Sequence, residues 1–400
     1  MNQLLTTDSR RPLPHLPPLA LYVHIPWCIR KCPYCDFNSH AAPVSLPEDA
    51  YVDALLQDLE QDLPLTAGRP LESIFIGGGT PSLFSGRAIG QLLAGIRERI
   101  PCQPDMEVTL EANPGTFEQD KFAAYREQGI NRLSIGIQSF HSGHLQRLGR
   151  VHDGGEALRA VGIAQQAGFA RINLDLMHGL PGQNLQQALD DLAQAIELDP
   201  GHVSWYQLTI EPNTMFWSKP PQLPVDETLW DIQEQGQALL ARHGYRQYEV
   251  SAYARDGQQA RHNLNYWQFG DFLGIGAGAH GKISHADGRI ERYWKTRQPD
   301  DYLRAENRCA GRQLLSNDEL PFEFLMNALR LVDGVPAEMF IGRTGLSAEI
   351  LQPVIQQAIA RGLLEEDPQR LVATPRGQLF LNDLLQMFLE IEPAISREAR

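Results

Sequence analysis

The sequence CIRKCPYC occupies residues 28–35 and closely follows the apolar stretch Leu19–Ile25. Its cysteines are spaced C-x₃-C-x₂-C, and thiolates are soft ligands that suit iron–sulfur clusters. A loop this compact can bring Cys28, Cys32 and Cys35 onto one cubane. Three ligands leave one iron without a protein ligand, and an open site on a metal centre is where substrate chemistry occurs. The spacing therefore predicts a [4Fe–4S] cluster with one open iron.

The cysteine loop has two other interpretations. A zinc site would need a fourth ligand, for which His24 or His40 could be proposed, but structural zinc sites favour paired C-x₂-C spacing. A redox pair formed by Cys32 and Cys35 would leave Cys28 unused and lacks a helix-opening context. The cluster interpretation uses all three cysteines, and we adopt it.

The composition is that of a globular protein of 400 residues, with 42% hydrophobic residues, 21% charged residues and a formal net charge of −14. An acidic chain is a poor candidate for binding nucleic acid. The sequence contains no run of about 18 apolar residues, so we expect no membrane-spanning helix. Residues 1–18 read as a Pro-rich leader without the features of a secretion signal. We therefore expect a cytoplasmic protein, in which Cys102 and Cys309 are ordinary thiols.

Between residues 19 and 210, short apolar runs alternate with longer helical patterns, which predicts parallel βαβ units. The predicted strands are Leu19–Ile25, Ser73–Ile76, Met106–Glu111, Arg132–Gln138, Arg171–His178 and Val203–Ile210. The predicted helices are Glu48–Asp62, Ala88–Arg99, Gln119–Gln128, Gly155–Ala167 and Leu185–Leu198. A further helix, Leu229–Arg242, and a further strand, Tyr248–Tyr253, follow.

Unusual residues at strand ends decide between two α/β architectures. Gly77, Glu111, Gln138 and Asp175 each lie at or near the end of a different predicted strand. In barrels the C-terminal ends of the strands carry the active site, whereas a doubly wound sheet concentrates its site at one crevice. We therefore predict a partial (β/α)6 barrel over residues 19–245.

The remaining chain is predicted to form two further parts. Residues 246–317, which include HNLNYW at His262–Trp267, form an extension or linker. Residues 318–400 are mainly helical, and two strand-like runs, Leu363–Glu366 and Leu371–Thr374, suggest a winged-helix-like domain. Its arginines are scattered among acidic residues, so we expect it to cover the barrel opening or form a protein interface, not to bind DNA.

Six segments of the sequence resemble the HemN/HemW group of the radical S-adenosylmethionine superfamily. In chain order they read LYVHIPWCIRKCPYCDF, IFIGGGTPS, LEANP, RLSIGIQSF, LDLMHGLPGQ and HNLNYW. The C-terminal domain resembles that of the group as well. The resemblance implies that S-adenosylmethionine (SAM) chelates the open iron through its amino and carboxylate groups. It also implies that electron transfer from the cluster can cleave SAM to a deoxyadenosyl radical.

The resemblance further implies which residues bind the methionine part of SAM. Gly78, Gly79 and Thr80 match a loop that binds its amino group, and glycines there let the backbone approach a ligand closely. Arg150 matches an arginine that binds its carboxylate, for which a guanidinium is a natural partner. Without the resemblance, the loop would be a plain turn and the arginine a solvated helix end.

Other residues match positions around the rest of the cofactor. Gln138 and Asp175 suit the ribose hydroxyls because each can accept hydrogen bonds from them, and Glu111 is a further expected contact to SAM. Tyr22 and Tyr34 match aromatic positions that line the cluster and cofactor. Otherwise the polar groups would be satisfied locally and the tyrosines would be packing residues.

Two functions compete within this group. One is oxygen-independent coproporphyrinogen III dehydrogenase, which decarboxylates two propionates by radical hydrogen abstraction. The other is a heme chaperone that delivers heme to respiratory apoproteins. The dehydrogenase has a fourth cysteine, as C-x₃-C-x₂-C-x-C, where this sequence has Phe37. Position 37 therefore favours the chaperone.

HNLNYW resembles the segment associated with heme in the chaperones. Histidine is a common axial ligand of heme iron, and tyrosine and tryptophan offer flat faces to a porphyrin. The resemblance implies heme contacts from His262, Asn263, Tyr266 and Trp267, near the mouth of the barrel. The alternative is a surface turn whose aromatic rings pack on the barrel and whose histidine is solvated.

We therefore predict a heme chaperone that binds heme, a [4Fe–4S] cluster and SAM and that serves respiratory apoproteins. Oxygen-independent coproporphyrinogen III dehydrogenase is the alternative. The resemblance is compatible with a homodimer and with a peripheral contact to a membrane, whereas we expect no nucleic-acid partner and no integral membrane segment.

Overall fold

The computed structural model describes residues 10–115 and 121–389. Its strands are β1 Leu19–Ile25, β2 Trp27–Cys28, β3 His40–Ala41, β4 Leu71–Gly78, β5 Cys102–Ala112, β6 Arg132–Gln138, β7 Ile172–His178, β8 Gly201–Gln207, β9 Arg246–Glu249, β10 Ala252–Ala254, β11 Asp271–Ile275, β12 His280–Ser284, β13 Ile290–Lys295, β14 Cys309–Leu314, β15 Val335–Pro336 and β16 Arg370–Leu371.

The α-helices of the same residues alternate with these strands and then dominate the C-terminal part. They are α1 Glu48–Asp62, α2 Gly86–Arg99, α3 Phe122–Glu127, α4 Ser142–Arg147, α5 Gly154–Gln166, α6 Leu185–Leu198, α7 Met215–Ser218, α8 Asp226–Arg242, α9 Arg261–Trp267, α10 Pro299–Arg304, α11 Leu320–Ala328, α12 Glu338–Thr344, α13 Gln352–Ala360, α14 Pro375–Leu379 and α15 Leu381–Gln386.

The strands β1, β4, β5, β6, β7 and β8 lie side by side in that order and run parallel. A helix follows each of the first five, which confirms the predicted partial barrel of βα units. The predicted helix Gln119–Gln128 is observed as α3, and its first two residues lie outside the described ranges. Because the strands are parallel, their C-terminal ends meet at one edge, which we call the mouth; the opposite edge is the floor.

Burial on both faces explains why the barrel strands read as nearly continuous apolar runs. In β6 every residue before Gln138 is buried, including Arg132. The covering helices are amphipathic, and α1 buries Tyr51, Leu55 and Leu59 against the sheet. Asp153 and Asn184 form capping boxes at the starts of α5 and α6, so each helix begins where its own sequence satisfies the first free backbone amides.

Residues 246–317 extend the same sheet at both of its edges. The strands β10 and β9 join beyond β8, while β11 pairs parallel with β1 and is followed by β12, β13 and β14. The prediction of one strand over Tyr248–Tyr253 is wrong, because the chain reverses at Val250 and Ser251 and forms the antiparallel pair β9 and β10. The Ser251 carbonyl accepts from the Trp205 N–H at 2.7 Å, and the Val250 N–H donates to the Arg330 carbonyl at 3.1 Å, so contacts to neighbouring elements hold the turn.

The C-terminal helices pack around a core of their own, which includes Phe324, Phe340 and Leu384. The predicted wing pairs as an antiparallel hairpin at Leu364 and Ala373, which confirms a mainly helical domain with a small β element. None of the described helices combines the length and the apolar character that crossing a membrane would require.

Candidate functional site

The mouth of the barrel opens into a cavity of about 470 Å³. Most of the residues predicted to bind the cluster or SAM line it. They are Cys28, Cys32, Tyr34, Cys35, Gly78, Gly79, Thr80, Glu111, Gln138, Arg150 and Asp175. The parallel barrel brings the cysteine loop and Arg150 together with residues in or directly after β4, β5, β6 and β7, and we call the space they enclose the cofactor cavity.

The cysteine loop is fixed to the mouth by its backbone. The Cys28 carbonyl accepts from the Ala42 N–H at 2.9 Å where β2 pairs with β3, and the Cys35 N–H donates to the Cys32 carbonyl at 3.2 Å. All three thiols are free and partly exposed. Burial raises the pKa of Cys28 and of Cys35, so both thiols favour the protonated form until a metal displaces the proton.

Two side chains donate toward the cysteine sulfurs. The Thr80 hydroxyl lies 3.5 Å from the Cys28 Sγ, and the Arg150 Nη1 lies 3.6 Å from the Cys32 Sγ. Such donors stabilise thiolate charge and tune a cluster. Among the described residues, no three His, Cys, Asp or Glu side chains converge as ligands of a single ion.

The histidines considered for a zinc site are already engaged. His24 Nδ1 lies 2.8 Å from the Tyr22 hydroxyl, and its Nε2 lies 2.8 Å from the Asn38 carbonyl. His40 Nε2 lies 3.3 Å from Asn38 Oδ1. These contacts give no support to a fourth zinc ligand from either ring.

The glycine loop after β4 packs directly on the cysteine loop. The Thr80 N–H donates to the Trp27 carbonyl at 2.7 Å. Gly78 has a φ of +115°, and a Cβ there would lie 2.6 Å from the His24 ring. A Cβ on Gly79 would lie 2.6 Å from the Trp27 carbonyl oxygen. At Gly78 both the backbone conformation and the close approach exclude a side chain, and at Gly79 the close approach to the Trp27 backbone does so.

Two partly buried carboxyls face the cofactor cavity. Glu111 Oε2 accepts from the Gly78 N–H at 3.0 Å, and burial, with the nearby Asp175 charge, raises the pKa of Glu111 to about 8. Asp175 accepts from Ser134 and Asn173 at 2.8 Å each, and burial raises its pKa as well. Both groups resist ionisation in this structure, and a cation bound beside them would lower their pKa values and favour the ionised forms.

Arg150 and Asn113 tie the strand ends to the cluster loop. The Arg150 Nη2 donates to Asn113 Oδ1 at 2.5 Å and to the Gly136 carbonyl at 2.8 Å, and Asn113 in turn donates to the Thr80 hydroxyl at 3.0 Å. Sequence reasoning did not single out Asn113, although it lies in the quoted segment LEANP. The sequence feature that could have identified Asn113 is a second polar side chain two positions after Glu111, the last residue of the predicted strand.

The two predicted tyrosines lie in different places. Tyr34 lines the cofactor cavity and packs against Phe216 with ring centroids 6.4 Å apart. Tyr22 lies instead in a neighbouring cleft of about 440 Å³, beside His24. Gln138 reaches the cavity with a φ of +67°, an uncommon conformation for a residue other than glycine and one that often marks a functional site.

The HNLNYW segment forms helix α9 at the floor. His262 is 2% exposed; its Nδ1 lies 3.3 Å from the Ser73 hydroxyl and its Nε2 lies 2.9 Å from the Tyr266 hydroxyl. Its ring stacks on Phe75 at 4.9 Å, and burial lowers the pKa of His262 to about 3. Ser73 precedes Gly78 by five positions on β4, about 16 Å along a strand.

The other predicted heme contacts also belong to this packed region. Trp267 stacks beneath Arg330 of the C-terminal domain, with the guanidinium carbon 4.3 Å from the ring centroid. Asn263 lies beside Tyr248. The structure therefore does not bring the HNLNYW side chains to the mouth, because α9 closes the opposite end of the barrel. These side chains therefore lie neither at the mouth, as the resemblance implied, nor in a solvated surface turn, as the alternative required.

Comparisons with known proteins agree with this architecture. Residues 22–195 match the Radical SAM superfamily, and residues 315–380 match the HemN C-terminal domain. The chain is 55% identical to the heme chaperone HemW of Escherichia coli (strain K12), over 94% of this chain and 99% of that protein. It is 54% identical to the heme chaperone HemW of Haemophilus influenzae, over 95% and 100% of the two chains.

Among solved structures, coproporphyrinogen III oxidase (HemN) from Escherichia coli, described as a radical SAM enzyme, matches with a TM-score of 0.78. The match covers 94% of this chain and 91% of that one, at 24% sequence identity. At this identity the likeness shows a shared fold.

Proposed function

The chain belongs to the HemW family of the radical SAM superfamily, and from this premise we propose that it is a heme chaperone that binds a [4Fe–4S] cluster, SAM and heme. The observation that carries the proposal is the arrangement of the mouth. Three cysteines open onto one cavity, and the 57% exposed Phe37 stands where the dehydrogenase pattern requires a fourth cysteine.

In this proposal Cys28, Cys32 and Cys35 hold the cluster, which when bound with SAM on its open iron supplies a centre for one-electron chemistry. Thr80 and Arg150 donate toward two of the sulfurs and so favour the thiolate forms.

The proposed SAM contacts are residues that match the family pattern and line the cofactor cavity. Gly78, Gly79 and Thr80 offer backbone and hydroxyl groups to the methionine amino group, while Arg150 offers guanidinium donors to its carboxylate. Further proposed contacts come from two carboxyls and one amide on the cavity wall: Glu111, Asp175 and Gln138. The sulfonium and ammonium charges of SAM would stabilise the ionised forms of the two acids.

Heme contact at His262, Asn263, Tyr266 and Trp267 stays a prediction. His262 is neutral, as an iron ligand must be, but both of its ring nitrogens are engaged and the ring is buried. A contact with heme there requires α9 to leave the floor. Delivery of the bound heme to respiratory apoproteins is the final step of the proposal, and the names of the relatives support it only as far as heme chaperone.

Anaerobic reconstitution of the full chain tests this function. The reconstituted protein is titrated with heme and, in parallel, supplied with SAM, a reductant and coproporphyrinogen III. We expect heme binding, transfer of that heme to a heme-free respiratory enzyme, and no protoporphyrinogen. Formation of protoporphyrinogen would contradict the chaperone function, and so would a protein that binds no heme.

A further inference from the structure

A second opening lies beside the cofactor cavity, on the far side of Phe37. It consists of two adjoining clefts of about 440 and 660 Å³, which share Asp36, Phe37, Asn38 and Arg297. We call the two together the side groove. Each volume falls within the roughly 300–1,000 Å³ that small-molecule sites occupy. The first cleft also shares Gly78 and Glu111 with the cofactor cavity, so the two spaces are continuous.

Phe37 gives the side groove a flat apolar face on a fixed backbone. Its carbonyl accepts from the Ser39 N–H at 2.7 Å, and the next residue, Asn38, donates to the Ala277 and Arg297 carbonyls at 2.9 Å each. The side chain nevertheless remains 57% exposed. Binding of an apolar ligand against this exposed ring would be favourable, because it would remove apolar surface from water.

His280 supplies an imidazole at the wall of the groove. It begins β12 and is exposed, and its ring has no hydrogen-bond partner among residues 10–115 and 121–389. Partial burial and the nearby Arg292 and Arg297 charges lower the pKa of His280, which keeps its ring neutral and able to bind a metal. His24 and His262, by contrast, have both ring nitrogens engaged.

The charged groups of the side groove favour an anionic ligand. Arg297 is exposed and forms no ion pair with any described side chain, and Lys31 is held nearby by the Phe37 carbonyl at 3.4 Å. Two carboxyls face the same space. Asp36 is exposed, whereas burial raises the pKa of Glu111 to about 8 and leaves it largely uncharged at neutral pH. Two basic side chains, Arg297 and Lys31, therefore lie at the rim of the groove.

We infer that the side groove binds a metalloporphyrin, with Phe37 against the macrocycle, His280 as a ligand to the iron, and Arg297 with Lys31 at the propionates. This inference rests on the proposed heme function and assigns it a place. The groove supplies the three features that such a ligand requires: a flat apolar face, a neutral imidazole and cations at the rim. Heme bound there would lie next to the cofactor cavity.

The test titrates the full chain, with its cluster reconstituted anaerobically, with three probes: heme, iron-free protoporphyrin IX and heme dimethyl ester. For His280→Ala we expect about a tenfold loss of heme affinity and loss of the histidine-ligated heme spectrum, with protoporphyrin IX affinity unchanged. For Arg297→Gln we expect about a three- to tenfold loss for heme and for protoporphyrin IX, and none for the ester, which lacks the propionate charges.

His243→Ala is the matched control, because His243 is exposed at the end of α8, outside the groove. Wild-type heme affinity in His280→Ala would overturn the inference and leave the proposed function standing. Loss of the heme spectrum in His40→Ala, with His280→Ala unchanged, would overturn the assignment of the iron ligand. A wild-type protein that binds no heme would overturn the proposed function itself.

Discussion

The mouth and the floor of the barrel each contain a glutamate from β5, but only the glutamate at the floor is paired with arginines. On β5, Glu107 is buried, and Glu111, four positions further on, is partly buried. Glu107, at the floor, is paired with Arg132 and Arg171 and accepts from the His262 N–H at 3.2 Å. Glu111, at the mouth, accepts from a single backbone amide at 3.0 Å and faces a cavity.

This contrast shows where a ligand can enter. A buried acid with two arginines is satisfied by the protein, whereas one without a cation is stable mainly in its protonated form until a cation arrives. The HNLNYW motif lies at the satisfied end, and the cysteine loop lies at the open end. The heme contacts predicted for this motif therefore require α9 to move before a ligand can enter, whereas the cysteine loop is accessible as it stands.

The largest effect should come from breaking the mouth at its metal ligands. Cys32→Ala should abolish the cluster, because a cubane held by two cysteines loses both a bond and its sequestered geometry. Iron and sulfide content after anaerobic reconstitution measures this. Cys309→Ala, a half-buried thiol on β14, is the control and should retain the cluster. A Cys32→Ala protein with a full complement of iron and sulfide would contradict the assignment.

The next effect concerns the acid at the mouth. The pKa of Glu111 is about 8 in the fold against 4.5 ordinarily, so from pH 5 to pH 8 the unfolded chain loses this proton while most of the folded chain keeps it. Folding is therefore favoured by this group at low pH, and the advantage of about 3 kcal/mol disappears as the pH rises toward 8. Urea denaturation of the metal-free protein measures this fall.

Glu111→Gln provides the matched comparison, since glutamine keeps the shape and cannot ionise. The variant should lose less stability than the wild type between pH 5 and pH 8, and the difference between the two slopes includes the electrostatic coupling of Glu111 to Asp175. Equal slopes for the two proteins would show that Glu111 ionises normally and would remove the electrostatic difference between mouth and floor.

A smaller effect is expected at the floor. His262→Ala removes a buried ring that stacks on Phe75 and contacts Ser73 and Tyr266, which should destabilise the fold by about 2 kcal/mol without changing SAM affinity. Denaturation and SAM titration measure the two quantities. The control His243→Ala should stay within about 0.5 kcal/mol of the wild type. Unchanged stability in His262→Ala would mean that α9 is not anchored by this residue.

The smallest effect isolates one hydrogen bond of the floor. Tyr266→Phe keeps the ring against Phe272 and removes the hydroxyl that lies 2.9 Å from His262 Nε2. We expect a loss of about 1 kcal/mol in unfolding free energy. If heme affinity instead rose in this variant, freeing the His262 nitrogen would be creating a ligand, and the floor would have to be counted as a heme site.

The sequence predicted the open end of the molecule better than the closed end. Strand boundaries such as Arg132–Gln138 follow from local apolar runs. The cysteine and glycine loops are recognisable from the spacing of residues within a single short segment. The placement of His262 depends on β11 pairing with β1 across some 250 residues, which no local pattern reveals. The turn at Val250 and Ser251 has neither glycine nor proline, so nothing in the sequence marked it.

The role of Asn113 was missed for a related reason. Its side chain connects Thr80 with Arg150, two residues from distant segments, and such a network exists only after the barrel has closed. Thr80 and Arg150 were predicted from the family pattern, whereas the contacts of the Asn113 amide with both of them depend on the folded structure.

The central claim is that the mouth holds a [4Fe–4S] cluster with one iron free for SAM. Electron paramagnetic resonance of the reduced, reconstituted protein during a SAM titration tests it most directly. We predict that SAM changes the cluster spectrum and saturates at about one SAM per cluster, as three cysteine ligands require. A cluster spectrum that SAM leaves unchanged, or zinc in place of iron and sulfide in anaerobically purified protein, would contradict the account.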